Sequence, residues 1–191
     1  AVTGVQTCAL PILKIDQVKH GNTKAESGSG DLKLNNLSGI LEAETGSGDV
    51  IVRDFTGSGM DLKTGSGGIN VDNAVGSLKA GAGSGDITVT NYKAGDAVEC
   101  STGSGSVGID GDLGAVVRLT ANSGSGDIVV HTSSVPSLHI SATSDSGDVN
   151  VDLPGMQNVS AHSHSIRADV NGAKGSAELE AGSGDVTFTK H

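Results

Sequence analysis

Apolar residues occur in pairs along this chain, and one residue, usually polar or small, separates the two members. Leu32-Lys33-Leu34 and Ile87-Thr88-Val89 show the pattern, and each pair follows a short run of Gly, Ser and Asp. Because alternate side chains of a strand point to the same side, each pair predicts a short strand with one buried face. The pairs are Leu32/Leu34, Val50/Val52, Ile69/Val71, Ile87/Val89, Val107/Ile109, Ile128/Val130, Val149/Val151 and Val186/Phe188.

A second buried row is predicted just before each glycine run. A turn, often with its own glycine such as Gly39, Gly57, Gly76 or Gly95, separates this second strand from the first. The row lies three positions before each run and consists of Ala25, Ala43, Leu62, Ala80, Cys100, Ala121, Ala142, Ser160 and Leu179. Most of these side chains are small, so we expect a thin core.

The glycine run is itself a repeat, Gly-Ser-Gly-Asp followed by the apolar pair. Clear copies start at residues 28, 46, 83, 124 and 182, and degenerate copies at 65, 103, 145 and 163, with intervals of 18 to 21 residues. A two-strand unit of this length cannot bury its apolar side alone, whereas stacked copies form a continuous core. Since crossovers between parallel strands are right-handed, we predict an all-β, right-handed parallel β-solenoid (β-helix) of about nine coils.

A β-sandwich is the alternative fold, because short strands with turns every 8–12 residues also suit it. It does not explain why one tetrapeptide returns in register. Glycine at a solenoid corner does explain this, because it accepts a positive φ and lets adjacent turns stack without Cβ collisions.

The first residues of the chain resemble a sequencing adapter. Residues 2–12 read VTGVQTCALPI, which matches the translated adapter over its whole length. We therefore treat residues 1–12 as a sequencing artefact and expect a single solenoid domain over residues 13–191, truncated at its N-terminus. Cys8 then carries no information, and Cys100 alone cannot form an internal disulfide.

Composition narrows the classes of function. The chain has 191 residues, 30 of them Gly, with 2% aromatic residues and a formal net charge of −10. Frequent glycine argues against long helices, and the aromatic content argues against a core built around large rings. The acidic balance argues against nucleic acid and anionic lipid as partners. No run approaches the roughly 18 apolar residues of a membrane helix, so we expect membrane association only through a missing N-terminal anchor.

The Gly-Ser-Gly-Asp-apolar-x-apolar repeat resembles a family of bacterial cell-envelope proteins of adhesin type. This family is a domain of unknown function related to the head domains of autotransporter adhesins, and the resemblance covers residues 13–191. It implies a β-solenoid in an extracytoplasmic location, often tethered to the membrane by an N-terminal segment. The family has no established catalytic residues, so the resemblance assigns none here, and we expect neither enzymatic activity nor a resident cofactor.

The aspartates of the repeat are the first candidates for a site, because they should line one corner of the solenoid. Their simplest role is to bind backbone N–H groups in the turn. Calcium is the alternative, since β-rolls with Gly-Gly-x-Gly-x-Asp repeats bind it at their turns. The period here is about twice that of such rolls, and Gly68, Ser106 and Ile166 interrupt the series. The candidate calcium ligands are Asp31, Asp49, Asp86, Asp127, Asp148 and Asp185.

Catalytic interpretations are weaker. Asp127 and Asp148 are the best pair for general acid and base chemistry on polysaccharide, but they belong to the repeat itself. The glycine pattern of residues 103–108 matches a dinucleotide fingerprint by coincidence, because a strand is expected after it. His162 and His164 have a spacing that suits zinc but lack a third ligand nearby. Cys100 falls in the alanine row and lacks a visible base partner.

A ligand is expected on the outward strand faces or on the longer loops. Flat polar faces suit extended carbohydrate or protein surfaces, and the longer loops are residues 91–96, 110–115 and 132–137. Three functions remain open: an adhesive solenoid that binds cell-surface glycan, a regulatory or scaffold module that binds an envelope protein, and a polysaccharide-active enzyme. The predicted outward residues are Lys33, Glu42, Glu44, Lys63, Thr88, Glu99, Asn150, Arg167, Glu178, Glu180 and Thr187.

Overall fold

The computed structural model describes residues 2–8, 12–19 and 21–191, with side chains from residue 12 onward. Every regular element in these ranges is a β-strand. The strands are β1 Val2–Cys8, β2 Ile12–Asp16, β3 Gly21–Ser27, β4 Asp31–Thr45, β5 Val50–Thr64, β6 Ile69–Ala82, β7 Ile87–Thr102, β8 Val107–Asp112, β9 Arg118–Ser123, β10 Ile128–Thr132, β11 Leu138–Ser144, β12 Val149–Asp152, β13 Met156–His162, β14 Ser165–Val170, β15 Gly175–Ala181 and β16 Val186–Lys190.

Two sheet faces run along the stack, and the long strands β4 to β7 contribute to both. Face A contains β2, the first halves of β4 to β7, and then β8, β10, β16 and β12. Face B contains β1, β3, the second halves of β4 to β7, and then β9, β15, β11, β14 and β13. Pairing is parallel except at β14, and the repeat stays in register, as in Leu32↔Val50↔Ile69. The predicted parallel β-solenoid is confirmed.

Six coils follow one another in chain order, from β2–β3 to β8–β9. Beyond them the order changes, because β15 lies between β9 and β11 and β16 lies between β10 and β12. The corner at residues 182–185 is therefore inserted between the corners at 124–127 and 145–148. Backbone hydrogen bonds mark the insertion, from Gly182 N to Ser123 O at 2.9 Å and from Asp145 N to Ala181 O at 3.1 Å.

The expected coil at residues 163–166 is absent from the stack, so a count of nine coils in sequence order is wrong. Those residues form the turn between β13 and β14, which pair antiparallel, and Ser160 is exposed instead of buried. Ser163, His164 and Ser165 replace the glycines of the repeat. At a stacked corner such as Gly105, an added Cβ would overlap the carbonyl of Gly85 in the neighbouring coil. A corner without glycine therefore cannot stack.

The core is narrow and consists mainly of aliphatic side chains. The predicted apolar pairs are buried, apart from the half-buried Val149, and the alanine row is buried apart from Ser160. The sequence analysis missed an additional row, Leu37↔Phe55↔Ala74↔Tyr92, which closes the core between the two faces. A small residue between Phe55 and Tyr92 leaves room for their rings. The Tyr92 hydroxyl donates a hydrogen bond to the carbonyl of Gly76, and burial raises the pKa of this phenol.

Glycine at the Gly-Ser-Gly-Asp corners is required for close packing. The expectation of positive φ is wrong there, since the described glycines with positive φ are Gly39, Gly76, Gly155 and Gly172, all outside these corners. The other expectation is confirmed from the corner at residue 46 onward, where a Cβ on the first or second glycine of the motif would overlap backbone atoms of the neighbouring coil. The distance between hydrogen-bonded strands, about 4.8 Å, leaves no room for a side chain pointing along the stack.

A second corner follows the apolar pair in each of the first five coils and is built from Asn or Asp in four of them. Gln17, Asn36, Asp54, Asn73 and Asn91 occupy equivalent positions and have φ between 50° and 61°. Asn and Asp tolerate this left-handed conformation better than most residues do. The sequence contains the signal, because an Asn or Asp stands two residues after each of the first four apolar pairs.

Candidate functional site

A hydroxyl side chain closes most of the Gly-Ser-Gly-Asp corners. Ser123 is buried, and its Oγ donates to Gly105 O at 2.7 Å while it accepts a hydrogen bond from Gly126 N at 2.8 Å. One hydroxyl thus closes its own turn and binds the neighbouring coil. This position lies one residue before the glycine run. Equivalent residues with both bonds are Thr45, Thr64, Thr102 and Ser144.

The motif aspartates bind backbone N–H groups of the next coil. Asp127 Oδ1 accepts from Asp185 N at 2.9 Å, and Asp185 Oδ1 accepts from Asp148 N at 2.8 Å. The geometry agrees with the turn-capping interpretation, with the difference that the N–H belongs to the adjacent coil. Asp31, Asp49 and Asp86 accept in the same way from Asp49, Gly68 and Ser106.

Calcium binding at these aspartates stays a prediction. Within the described ranges, no group of three or more His, Cys, Asp or Glu side chains has the geometry of a metal site. Gly68 and Ser106 flank Asp86 in the stack, so Asp86 has no carboxylate neighbour in either adjacent coil. The longest uninterrupted series is Asp127, Asp185 and Asp148.

The structure also places the weaker catalytic candidates. Asp127 and Asp148 are not adjacent in the stack, because the inserted corner puts Asp185 between them. His164 lies in the exposed hairpin turn, where its Nδ1 is 2.8 Å from the carbonyl oxygen of Gly147. Cys100 is fully buried, and burial raises the pKa of its thiol to about 12, which keeps it protonated. The glycines at 103–108 form a corner followed by β8.

Face B carries charges that neutralise one another in its first coils. Lys63 Nζ lies 3.2 Å from Asp61 Oδ2, and Lys79 Nζ lies 3.3 Å from Glu99 Oε1. Lys24 pairs in the same way with Glu26 at 2.6 Å, and this hydrogen bond raises the pKa of the lysine. These pairs are exposed and contribute little stability, but they leave no unpaired cation in this part of the face. Beside these ion pairs lies an apolar groove of about 270 Å³, which is lined by Ile40 and by small residues of the neighbouring strands.

Face A carries a polar groove of about 320 Å³ in its central coils. Arg53, Asn70 and Thr88 are exposed along it, and Asp72 and Thr90 are half-buried. Asp72 Oδ1 accepts from Asn91 Nδ2 at 2.9 Å and from Thr90 Oγ1 at 3.1 Å. The hydrogen bond from Asn91, the one from Thr90 and the charge of Arg53 lower the pKa of Asp72, so this carboxylate is ionised at neutral pH.

The predicted outward residues are confirmed as outward-facing. They are exposed, apart from the half-buried Lys33 and Thr187. The predicted loops differ in kind: residues 91–96 lie within β7, whereas residues 113–117 and 133–137 connect strands. Thr132, the last residue of β10, donates a hydrogen bond from its Oγ1 to the carbonyl oxygen of Ser134 in the second of these loops at 2.7 Å. Face A, with its groove of about 320 Å³, is the candidate ligand surface considered below.

Comparison with protein families gives a match over most of the solenoid. The profile of the domain described as Toastrack DUF4097 matches residues 12–136. The chain belongs to the Toastrack DUF4097 family. This family is a domain of unknown function, and the matched range covers the coils in chain order together with β10. No curated protein and no solved structure matches the chain. Among the described residues of this Toastrack domain, no helix has the length and apolarity needed to cross a membrane.

Proposed function

We propose that this Toastrack domain is a non-enzymatic binding module of the bacterial cell envelope that holds an extended partner on a flat sheet face. The observation that carries the proposal is face A, where exposed side chains of successive coils form regular polar rows. Such rows repeat at the strand spacing of about 4.8 Å and suit a polymer or a surface better than a small molecule.

The chemistry of the candidate catalytic groups supports a binding role. The motif aspartates accept backbone hydrogen bonds, and the Cys100 thiol is buried and protonated. Catalytic groups need access to a substrate and a pKa matched to their task, which Cys100 does not have. A location outside the cytoplasm and an adhesive role are parts of the same proposal.

A pelleting assay with bacterial cells and purified cell walls tests the proposal. In a Cys8→Ser background, Asn70→Cys on face A is labelled with a bulky maleimide, and Ser104→Cys at an exposed corner is the matched control. Cys100 is buried and should not react. We expect saturable pelleting of the unlabelled chain, loss with the label at Asn70 and retention with the label at Ser104. Equal pelleting of both labelled variants would refute face A as the binding surface, and no pelleting at all would refute the envelope role.

A scaffold role that binds another envelope protein is the second candidate. It is favoured by β13, which is the terminal strand of face B and whose residues 157–162 are all exposed. An open strand edge of this kind can take an added strand from a partner. Co-purification of one envelope protein that a proline in β13, Val159→Pro, abolishes would favour this candidate over the first.

A further inference from the structure

In the first five coils, from β2 to β7, the cations of face A differ from those of face B in having no ion-pair partner. Lys14, Lys33 and Arg53 have no carboxylate oxygen within 4.0 Å in the described chain, and their side chains make no hydrogen bond there. Lys24, Lys63 and Lys79 on face B are each paired. In a protein with a net charge of −10, three unpaired cations on adjacent strands of one face are a local concentration of positive charge.

The register brings these three cations together. Lys14 lies directly opposite Lys33 in the neighbouring strand, and Asn35 lies opposite Arg53. Lys33 and Arg53 are therefore one strand and two residues apart, about 8 Å between Cα atoms. Like charges directly opposite each other on neighbouring strands destabilise a sheet. A bound anion would remove this repulsion.

Further along, the row of Lys33 becomes uncharged, whereas the row of Arg53 continues with the ionised Asp72 directly opposite Arg53. Ile51, the neighbour of Lys33, is followed by Asn70 and Thr88, and both of these side chains are exposed with no hydrogen-bond partner in the described structure. Asp72 and Thr90 lie beside them and are held in place by their own hydrogen bonds. Amide, hydroxyl and carboxylate groups of this kind donate to and accept from ligand hydroxyls.

We propose that face A binds an acidic glycan, with its anionic groups at Lys14, Lys33 and Arg53 and its sugar hydroxyls at Asn70, Asp72 and Thr88. The planar guanidinium of Arg53 suits a carboxylate or a phosphate, because it can donate two parallel hydrogen bonds. Ile51 lies between the two groups and supplies an apolar surface for the C–H side of a sugar ring. This inference rests on the proposed binding function and names the ligand class and its site.

Aromatic content distinguishes a glycan from a nucleic acid. The chain has one Tyr, two Phe and no Trp, and Phe55, Tyr92 and Phe188 are all buried. Proteins that bind single-stranded nucleic acid stack bases on exposed aromatic rings, and duplex binding relies on many cations. Face A offers neither, whereas its hydroxyl-binding groups match a polyhydroxylated chain.

Isothermal titration calorimetry of the full 191-residue chain tests the site. The probes are polygalacturonate fragments for carboxylate, poly(glycerol phosphate) for phosphate, dextran as the neutral glycan and a single-stranded oligonucleotide. We expect at least one of the two anionic polymers to bind, with an affinity that falls as salt rises, and no binding of dextran. Comparison of the two anionic polymers shows which anion the site prefers.

The variants are Arg53→Gln, Thr88→Ala and the control Lys79→Gln, which changes the net charge equally but lies on face B. Because hydrogen bonds to charged groups contribute about 1.5–3 kcal/mol, Arg53→Gln should weaken binding by about 10- to 100-fold. Thr88→Ala should weaken it several-fold, and Lys79→Gln by less than about twofold. Circular dichroism should show that all three variants are folded, since the three side chains are exposed.

Two results would overturn the assignment: equal effects of Arg53→Gln and Lys79→Gln, or oligonucleotide binding as tight as that of the glycans. If the chain pellets with cell walls but neither acidic polymer binds, the ligand class is wrong and the binding function stands. If an acidic polymer binds through Arg53 but cell walls do not pellet the chain, the site stands and the envelope function is wrong.

Discussion

The most direct test of the solenoid packing is to add a single methyl group at a corner. Gly85 stacks on Gly67, and a Cβ at Gly85 would overlap the carbonyl of Gly67 and lie 2.8 Å from the amide nitrogen of Gly68. Real Cβ atoms essentially never approach other heavy atoms within 3.0 Å, and the atoms met here belong to the backbone and cannot rotate away. The substitution Gly85→Ala must therefore push the two coils apart.

The cost follows from the hydrogen bonds beside this contact. Gly83 N donates to Thr64 O at 3.0 Å, and Ile69 N donates to Asp86 O at 2.9 Å, across the same pair of coils. If the coils separate until the distance from the new Cβ to the carbonyl oxygen is about 3.3 Å, both hydrogen bonds weaken. Each weakened bond lowers the free energy of unfolding by about 1 kcal/mol. Local overpacking adds about 1–3 kcal/mol. We expect Gly85→Ala to lower the free energy of unfolding by about 3–5 kcal/mol.

Urea denaturation followed by circular dichroism measures this effect. With a slope of about 2–3 kcal/mol/M for a chain of this size, the midpoint of Gly85→Ala should fall by roughly 1–2.5 M. Gly81→Ala is the matched control, because a Cβ at Gly81 meets nothing within 4 Å and its φ is not positive. That control should be neutral or stabilising by up to about 1 kcal/mol. Midpoints of the two variants within about 0.3 M of each other would refute the packing argument.

Three further predictions concern single side chains. Thr102→Val removes a buried hydroxyl that links two coils and should cost about 1–3 kcal/mol in urea unfolding, whereas Thr102→Ser should cost less; equal losses would contradict the hydrogen-bonding role. In a Cys8→Ser background, Cys100 should react with a thiol reagent at pH 8 only after denaturation, because its pKa is raised to about 12, and fast labelling of the folded chain would disprove its burial. The pKa of Asp72 is lowered in the folded state, so its stabilising contribution is present at neutral pH and is lost as the pH falls below about 4. The melting temperature should therefore fall between pH 6 and pH 2, and this fall should be smaller in Asn91→Ala. An equal fall in the variant would contradict the role of the hydrogen bond from Asn91 to Asp72.

The regular part of the solenoid could be predicted because each local signal agrees with the next. The alternation at Leu32 and Leu34 indicates a strand, and the glycine run that follows each coil marks a corner. Register then follows from the repeat, since a shift by one residue would expose every apolar pair. Strand pairing in the first six coils required no further information.

The order of the last layers could not be predicted from spacing. The intervals between motif copies stay within 18 to 21 residues on both sides of residue 145, although β15 and β16 return to pair with β9 and β10. That choice depends on which free strand edge a segment meets, which is a property of the assembled stack. The loss of glycine at Ser163 and Ser165 was a usable signal for the departure of one copy, but not for where the following strands would go.

Only part of the candidate site was visible in the sequence. Lys33 and Thr88 could be assigned to an outward face from alternation alone. The absence of partners for Lys33 and Arg53 depends on side-chain positions, and so does the binding of Asp72 by Asn91. Long polar side chains on a strand can reach several neighbours, and the sequence does not determine which one they contact.

The inserted position of β15 and β16 has a consequence for synthesis on the ribosome. Coils as far as β8–β9 can assemble while the chain emerges, because each one stacks on its predecessor. β11 and β12 cannot reach their final layers until residues 175–190 have left the exit tunnel and filled the layer below them. Completion of this end therefore waits for residues 175–190, and until they emerge a chaperone or a partner meets the unpaired edges of β9 and β10.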